Sequence, residues 1–412
     1  VNWSGSNSTV GIEVKQNNVT TFIESNITGS NFIVTSGLQP NIDYNVNIIP
    51  YNSIGVSNET YRQFQTITTL ARAPYLSNTF KSDTELEFYL TGGTYTCNVI
   101  GWLSQSIRFN TSNIFISNLS PNTNYTFNTY PINSKDVINY TEYTSCNINT
   151  KSRVILSPIT NNTDTAFTIN WLPDSYDYLS IHWNSSNSDQ VYNGINYFNV
   201  SNLSPNTYYD INVTSYGIDG QGLTKNTSNL TLANVATNFT LTSSNITLYN
   251  TGAYKYNNIT LSDAYANTFN CNVYPSIQYV SPQLISNRLY TVTVNPYNTC
   301  NVINIPGTNV LYLTTLATVG ASSSTNVLSK TLTENWATGT YSYVSLSWSA
   351  SNVYNINSNL YNVTNLTPNT YYTFTVTPFN SVGDPNTSEI SQNTILTLSF
   401  IDSVTYTNTT PY

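Results

Sequence analysis

His182, in the stretch LSIHW, is the one imidazole in a chain of 412 residues, so any chemistry that needs histidine must use it. It stands in an alternating apolar and polar run, which reads as a partly exposed strand position rather than a positioned base. The four cysteines, Cys97, Cys146, Cys271 and Cys300, show no CxxC spacing, and one histidine cannot complete a zinc site. Oxidation is the chemistry left to them. The economical pairing keeps each bridge within one stretch of chain, Cys97–Cys146 and Cys271–Cys300, and implies an oxidising compartment; the alternative is four free thiols acting as small core residues. Glu85 and Glu87 fall on one strand face and read as solvated surface. The sequence holds no glycine-rich phosphate loop, HExxH, GxSxG or DxDxDG loop. These residues argue against an enzyme and require no cofactor and no metal.

The asparagines offer a different chemistry. Sequons of the form N-x-S/T recur, among them Asn26, Asn58, Asn124, Asn139, Asn184, Asn199, Asn212, Asn258, Asn362 and Asn386. Their number alone says little in a chain so rich in Asn, Ser and Thr. Placement says more: Asn199 and Asn362 share one position between inward-facing neighbours, and Asn124 and Asn212 alternate outward along a strand. Asn118, Asn202 and Asn365 are followed by Ser or Thr and then Pro, which reduces their expected use. Only 8% of residues are charged, and N-glycans would supply solubility that charge does not.

What must position these groups follows from composition and repetition. The net charge is -8, with 12 Lys and Arg scattered and no basic stripe, which excludes a nucleic-acid partner. No run of about 18 apolar residues is present, so no membrane insertion is expected. There is no Met and no signal pattern at Val1-Asn2-Trp3, and the chain reads as a mature or excised segment. Leu38, Leu119, Leu203, Leu284 and Leu366 open five related segments roughly 81 to 84 residues apart, about one small β-sandwich each. A Tyr follows each Leu at one fixed distance: Tyr44, Tyr125, Tyr209, Tyr290 and Tyr372. Beyond it Val46, Phe127, Ile211, Val292 and Phe374 begin an alternation of period two, a strand with one face on a core. Pro40, Pro121, Pro205 and Pro368 fix the turn before the strand, with Ser286 in the fourth copy, and Asn41, Asn122, Asn206, Asn287 and Asn369 tolerate its geometry. After the strand, Gly55, Asp136, Gly220, Asn301 and Gly383 share a hairpin position.

At these residues the chain resembles the fibronectin type III family, whose sixth-strand region reads L-x-P-x-T-x-Y and continues to N-x-x-G. The fifth copy supplies Leu366, Pro368, Thr370, Tyr372, Phe374, Val376, Asn380 and Gly383 in that order, with Pro378 where the family usually has Ala. The family's second-strand Trp is matched by Trp3, Trp171 and Trp336; the second and fourth copies lack it. The resemblance implies an all-β fold, a tandem array of about five antiparallel sandwiches. It also implies corner tyrosines whose hydroxyls bond upstream backbone while their rings fill the core. The period divides the chain into domains 1–70, 71–151, 152–232, 233–316 and 317–398, the first lacking its opening strand.

Residues 399–412 are left over. Joined to Val1-Asn2-Trp3 they read against Ser157–Trp171, and the step from Leu366 across the join to Leu38 is roughly 84 residues, within the range of the period. The expectation is that 399–412 forms the opening strand of a next unit, through one long polypeptide or by strand addition between separate copies, building a head-to-tail fibre. An extracellular, glycosylated filament subunit is thus the leading expectation. The competing one is a cell-surface or virion binding ectodomain that uses tyrosine-rich loops, Asp174–Tyr178 and Tyr254–Tyr256, against protein or carbohydrate.

Overall fold

The alternating segments form antiparallel strands throughout. The structure, a computed structural model, describes residues 1–5 and 8–405. Among these the one helical element is a 3-10 turn at Glu59–Tyr61. The fifth domain shows the plan. Its seven strands are Ser322–Thr325, Leu332–Trp336, Tyr343–Trp348, Ser351–Ile356, Leu360–Val363, Tyr371–Phe379 and Ser391–Leu396. The first, second and fifth make one sheet; the fourth, third, sixth and seventh make the other, in that order. Tyr372, Phe374 and Val376 of the sixth strand point inward while Tyr371 and Thr373 stay exposed, which is the period-two pattern expected of a half-buried strand. Leu332, Trp336 and Val363 meet them from the other sheet. The second, third and fourth domains repeat the same pair of strand orders. All-β tandem sandwiches are therefore what the sequence forms.

By compactness the chain divides into two units. The first holds Val1–Pro158, Asn170–Phe198 and Asp210–Thr227; the second holds Ile159–Ile169, Asn199–Tyr209 and the chain from Ser228 onward. In the first domain the four-stranded sheet is complete. Opposite it, Asn2 pairs with Asn31, the Trp3 amide donates to Ser30 O at 2.9 Å and the Phe32 amide to Val1 O at 2.8 Å. Beside this short pairing lies an open groove of about 520 Å³ bounded by Trp3, Val46, Ile48, Phe64 and Ile67.

The cysteine pairing expected from economy is corrected by the strand register. Cys97 stands opposite Ile132 and Cys146 opposite Phe127, on two strands that flank the sixth strand of the second domain from opposite sides. Five positions along a strand span roughly 16 Å, whereas a bridge needs Cα atoms within about 7 Å. Cys271 faces Ile259, whose other neighbour is Val294. Cys300 lies beyond Tyr297 in the following hairpin, its sulfur 2.8 Å from the Tyr208 hydroxyl. All four are free thiols.

Candidate functional site: the junction between domains

No catalytic cluster forms around the chemistry-bearing residues. His182 is exposed and touches Ser180 at 3.1 Å, and no group of metal-ligating side chains occurs among the described residues. The arrangement that recurs is structural and begins at the corner tyrosines. The hydroxyls of Tyr44, Tyr125, Tyr209, Tyr290 and Tyr372 accept the amides of Gln39, Ser120, Ser204, Ile285 and Thr367 at 2.7, 2.8, 2.8, 3.1 and 2.9 Å. Each ring is at most 9% exposed. A threonine at the end of the seventh strand ties the same corner down: Thr69, Thr150, Thr231, Thr315 and Thr397 accept an amide from the loop and donate to a carbonyl in it. The corner asparagines between them adopt φ of 48° to 55°, a left-handed conformation that Asn tolerates better than most residues.

From this fixed corner the chain passes to the next domain. In three junctions a pair of asparagines reads the passing backbone. Asn133 Nδ2 donates to Thr69 O at 3.1 Å and Asn139 Nδ2 to Ala71 O at 2.8 Å. Asn298 and Asn304 do the same to Thr231 O and Ala233 O at 3.4 and 2.7 Å, and Asn380 and Asn386 to Thr315 O and Ala317 O at 3.4 and 2.8 Å. Each first asparagine also closes its own hairpin, as Asn133 Oδ1 accepts the amides of Lys135 and Val137. A reciprocal bond returns from the preceding domain. The corner residues Asn41, Asn122, Asn206 and Asn287 accept the amides of Ser134, Ile218, Thr299 and Ser381 at 2.7 to 2.8 Å. The third domain has no asparagine pair. There Ser215 Oγ and the Leu223 amide bond Ser152 O at 2.9 and 3.2 Å. Buried amide side chains whose hydrogen bonds are made fix geometry, because leaving them unmade inside is costly.

Three-stranded and four-stranded sheets in one recurring order, entered by a tyrosine corner before the sixth strand, decide the type of domain. These are fibronectin type III-like sandwiches. Among solved structures, a segment of two fibronectin type III domains from chicken tenascin is similar at 14% identity over 38% of this chain and 99% of its own, with a TM-score of 0.30. The FN1–FN3 domains of chicken CNTN1 are similar at 17% identity over 60% of this chain and 99% of theirs, with a TM-score of 0.26. No protein-family model and no curated protein matches the sequence.

The junction corrects two of the expected sugar sites. Asn139 and Asn386 are 4% and 1% exposed, and the Nδ2 atom that would carry a glycan is the one donated to the linker carbonyl. A glycan there would displace the linker from the preceding domain. Asn26, Asn58, Asn124, Asn184, Asn199, Asn212 and Asn362 are exposed and Asn258 is half-buried. The tyrosine-rich loops are packed rather than presented. Tyr176 is buried against the Trp171 indole at 2.8 Å, Tyr178 stacks on Tyr216 at 4.7 Å, Tyr254 is buried, and Tyr256 stacks on Tyr297 at 4.8 Å. No helix among the described residues is long and apolar enough to cross a membrane.

Proposed function

We propose that this chain is a non-enzymatic structural segment of an extracellular filament, whose units follow one another head to tail and whose outward sequons carry N-glycans. The observation that carries this reading is the junction. Wherever two domains meet within a compact unit, the connecting backbone is held by hydrogen bonds from both sides, leaving no free linker to absorb displacement. The first domain supports it from the open side. Asn52 and Asn58 occupy the places of the asparagine pair; Asn52 Oδ1 closes its own hairpin with Ile54 and Val56, and neither Nδ2 meets a carbonyl among the described residues.

The proposed occupant of the groove beside Trp3 and Phe64 is the segment 399–412 of the adjoining unit. Residues 399–405 form no strand, and residues 406–412 lie outside the described residues. Apolar burial there contributes about 25 cal/mol per Å², so cohesion should depend little on salt. If units are separate chains, deleting 399–412 leaves monomers that cannot elongate, and normal filaments from the truncated protein would rule out strand donation. If they are one polypeptide, denaturing electrophoresis of native material shows species far larger than 45.8 kDa. Electron micrographs showing only short separate particles would overturn the filament itself. The glycans are checked by intact mass of native material before and after glycosidase treatment.

A further inference from the structure

Glu334 lies in the core of the fifth domain with no exposed surface, at a position where the second and fourth domains place Phe88 and Leu248. Two side chains accompany it. Ser324, opposite it on the first strand, donates its hydroxyl to Glu334 Oε2 in a short contact. Asn393, on the seventh strand, places Nδ2 at 2.6 Å from Ser324 Oγ and at 3.3 and 3.2 Å from the two carboxylate oxygens. The fourth domain has Phe239 and Leu311 at the matching places. Three polar groups thus replace three apolar ones together. Glu13 and Glu87 also meet a threonine hydroxyl and an asparagine amide, but both are only half-buried, whereas Glu334 has no exposed surface.

A satisfied network needs no more than that. What goes further is the order of the groups: the hydroxyl proton already points at a base, and the amide nitrogen lies against the hydroxyl oxygen, one bond from the carbon that the oxygen would have to turn onto. We propose that Ser324 and Asn393 condense into an intramolecular ester that ties the first strand of the fifth domain to the last, with Glu334 carrying the proton. The Ser324 Oγ–Asn393 Cγ bond forms, and the Cγ–Nδ2 bond breaks. The hydroxyl proton passes to the Glu334 carboxylate and from it to the departing nitrogen, which leaves as ammonia. Glu334 is regenerated, and no oxidant, metal or cofactor enters. Burial pushes its carboxyl above the ordinary glutamate range, opposed by the hydrogen bonds from Ser324 and Asn393, which makes its carboxylate a stronger base than an exposed one. Glu334 has no exposed surface, and Ser324 and Asn393 are half-buried beside it. The strands are already in register beside it, with the Ser322 amide 2.7 Å from Ser391 Oγ and the two serine hydroxyls 3.1 Å apart.

The test is intact mass of the full chain made in a bacterial cytoplasm, where no N-glycan is added. The folded protein should be one ammonia lighter than its sequence. A digest should hold the peptides bearing Ser324 and Asn393 joined until hydroxylamine separates them. Ser324→Ala and Glu334→Gln should both restore the full mass, with circular dichroism showing that each variant is folded. A folded wild-type chain at the full sequence mass overturns the proposal. So does ammonia loss that persists in Ser324→Ala, since that would be ring closure of Asn393 onto its own backbone.

Discussion

In the fourth domain Leu248 fills the centre of the second strand with hydrocarbon; in the fifth, Glu334 occupies the matching place with a carboxyl group, and both are fully buried. Around Leu248 stand Ile246, Leu261, Val292 and Leu313. Around Glu334 stand Ser324 and Asn393, within a cluster otherwise as apolar as its neighbour. The two domains nevertheless share one strand order, one tyrosine corner and one junction. The fold is therefore carried by the corner and the alternation, while a single core position is free to change character if its contacts change with it.

Breaking the comparison most sharply means giving the fourth domain the carboxyl without its companions. Leu248→Glu should cost about 5 kcal/mol, because neither Phe239 nor Leu311 can hydrogen-bond the new group. Domain-resolved hydrogen exchange on the full chain would read it, and near-wild-type protection of the fourth domain would show that its core tolerates the charge. What the domains share is tested at the corner. Tyr290→Ala and Tyr372→Ala should each cost about 3 to 5 kcal/mol, by loss of a buried aromatic ring. Tyr290→Phe and Tyr372→Phe should cost about 1 kcal/mol each, for one hydrogen bond. Chemical denaturation followed by near-ultraviolet dichroism separates the two classes.

A smaller effect is expected at the junction. Asn386→Ala leaves Ala317 O without its donor and should cost about 1 to 2 kcal/mol, whereas Asn58→Ala, at the equivalent but exposed place, should stay within about 0.5 kcal/mol. Equal effects at both sites would contradict a junction role.

The smallest effect is with pH, and its sign differs between the domains. Asp263, in the fourth domain, is lowered from 3.8 to about 2, chiefly by the Asn267 side chain, with further bonds from the Asn267 and Tyr265 amides and from Arg288. A depressed carboxyl contributes stability above its unfolded value and loses it as the pH falls from 3.8 through about 2. Glu334 is raised, chiefly by burial, so its folded state holds the proton more tightly than the unfolded one. Its contribution is present below the unfolded value of 4.5 and fades as the pH rises through the folded one. Acidification through the carboxylate range should loosen exchange protection around Asp263 and strengthen it around Glu334. The same sign in both domains would remove one of these assignments.

The domain plan is legible in the sequence because its signals are repeated and local: a Leu, a turn Pro, a Tyr and an alternating strand recur at one period. The junction was harder to see. Asn139 and Asn386 satisfy a sequon and read as sugar sites, although the matching pairs Asn133 and Asn139, Asn298 and Asn304, and Asn380 and Asn386 recur at one spacing, the signal of a structural place. Glu334 was missed for a related reason. In LTENW it stands at an inward slot between Leu332 and Trp336, which alternation alone reveals, but its partners come from strands far apart in the chain. Cysteine placement carries no such signal: Cys97 and Cys146 belong to one repeat, yet they flank a strand that separates them.

The linker carbonyls of Thr69 and Ala71, like those of Thr231 and Ala233, stand two residues apart on extended chain and so face the same way. Inserting one residue between them would turn one of the pair aside. Growth and loss in such a gene are therefore channelled: a whole domain arrives with a reader at one end and a readable backbone at the other, and can be copied in or dropped out without any join to repair. The third domain reads Ser152 with a serine instead of an asparagine pair, so different donors can meet the connecting backbone. Length variation is left to the loops, and the number of domains becomes the quantity on which selection can act in single steps.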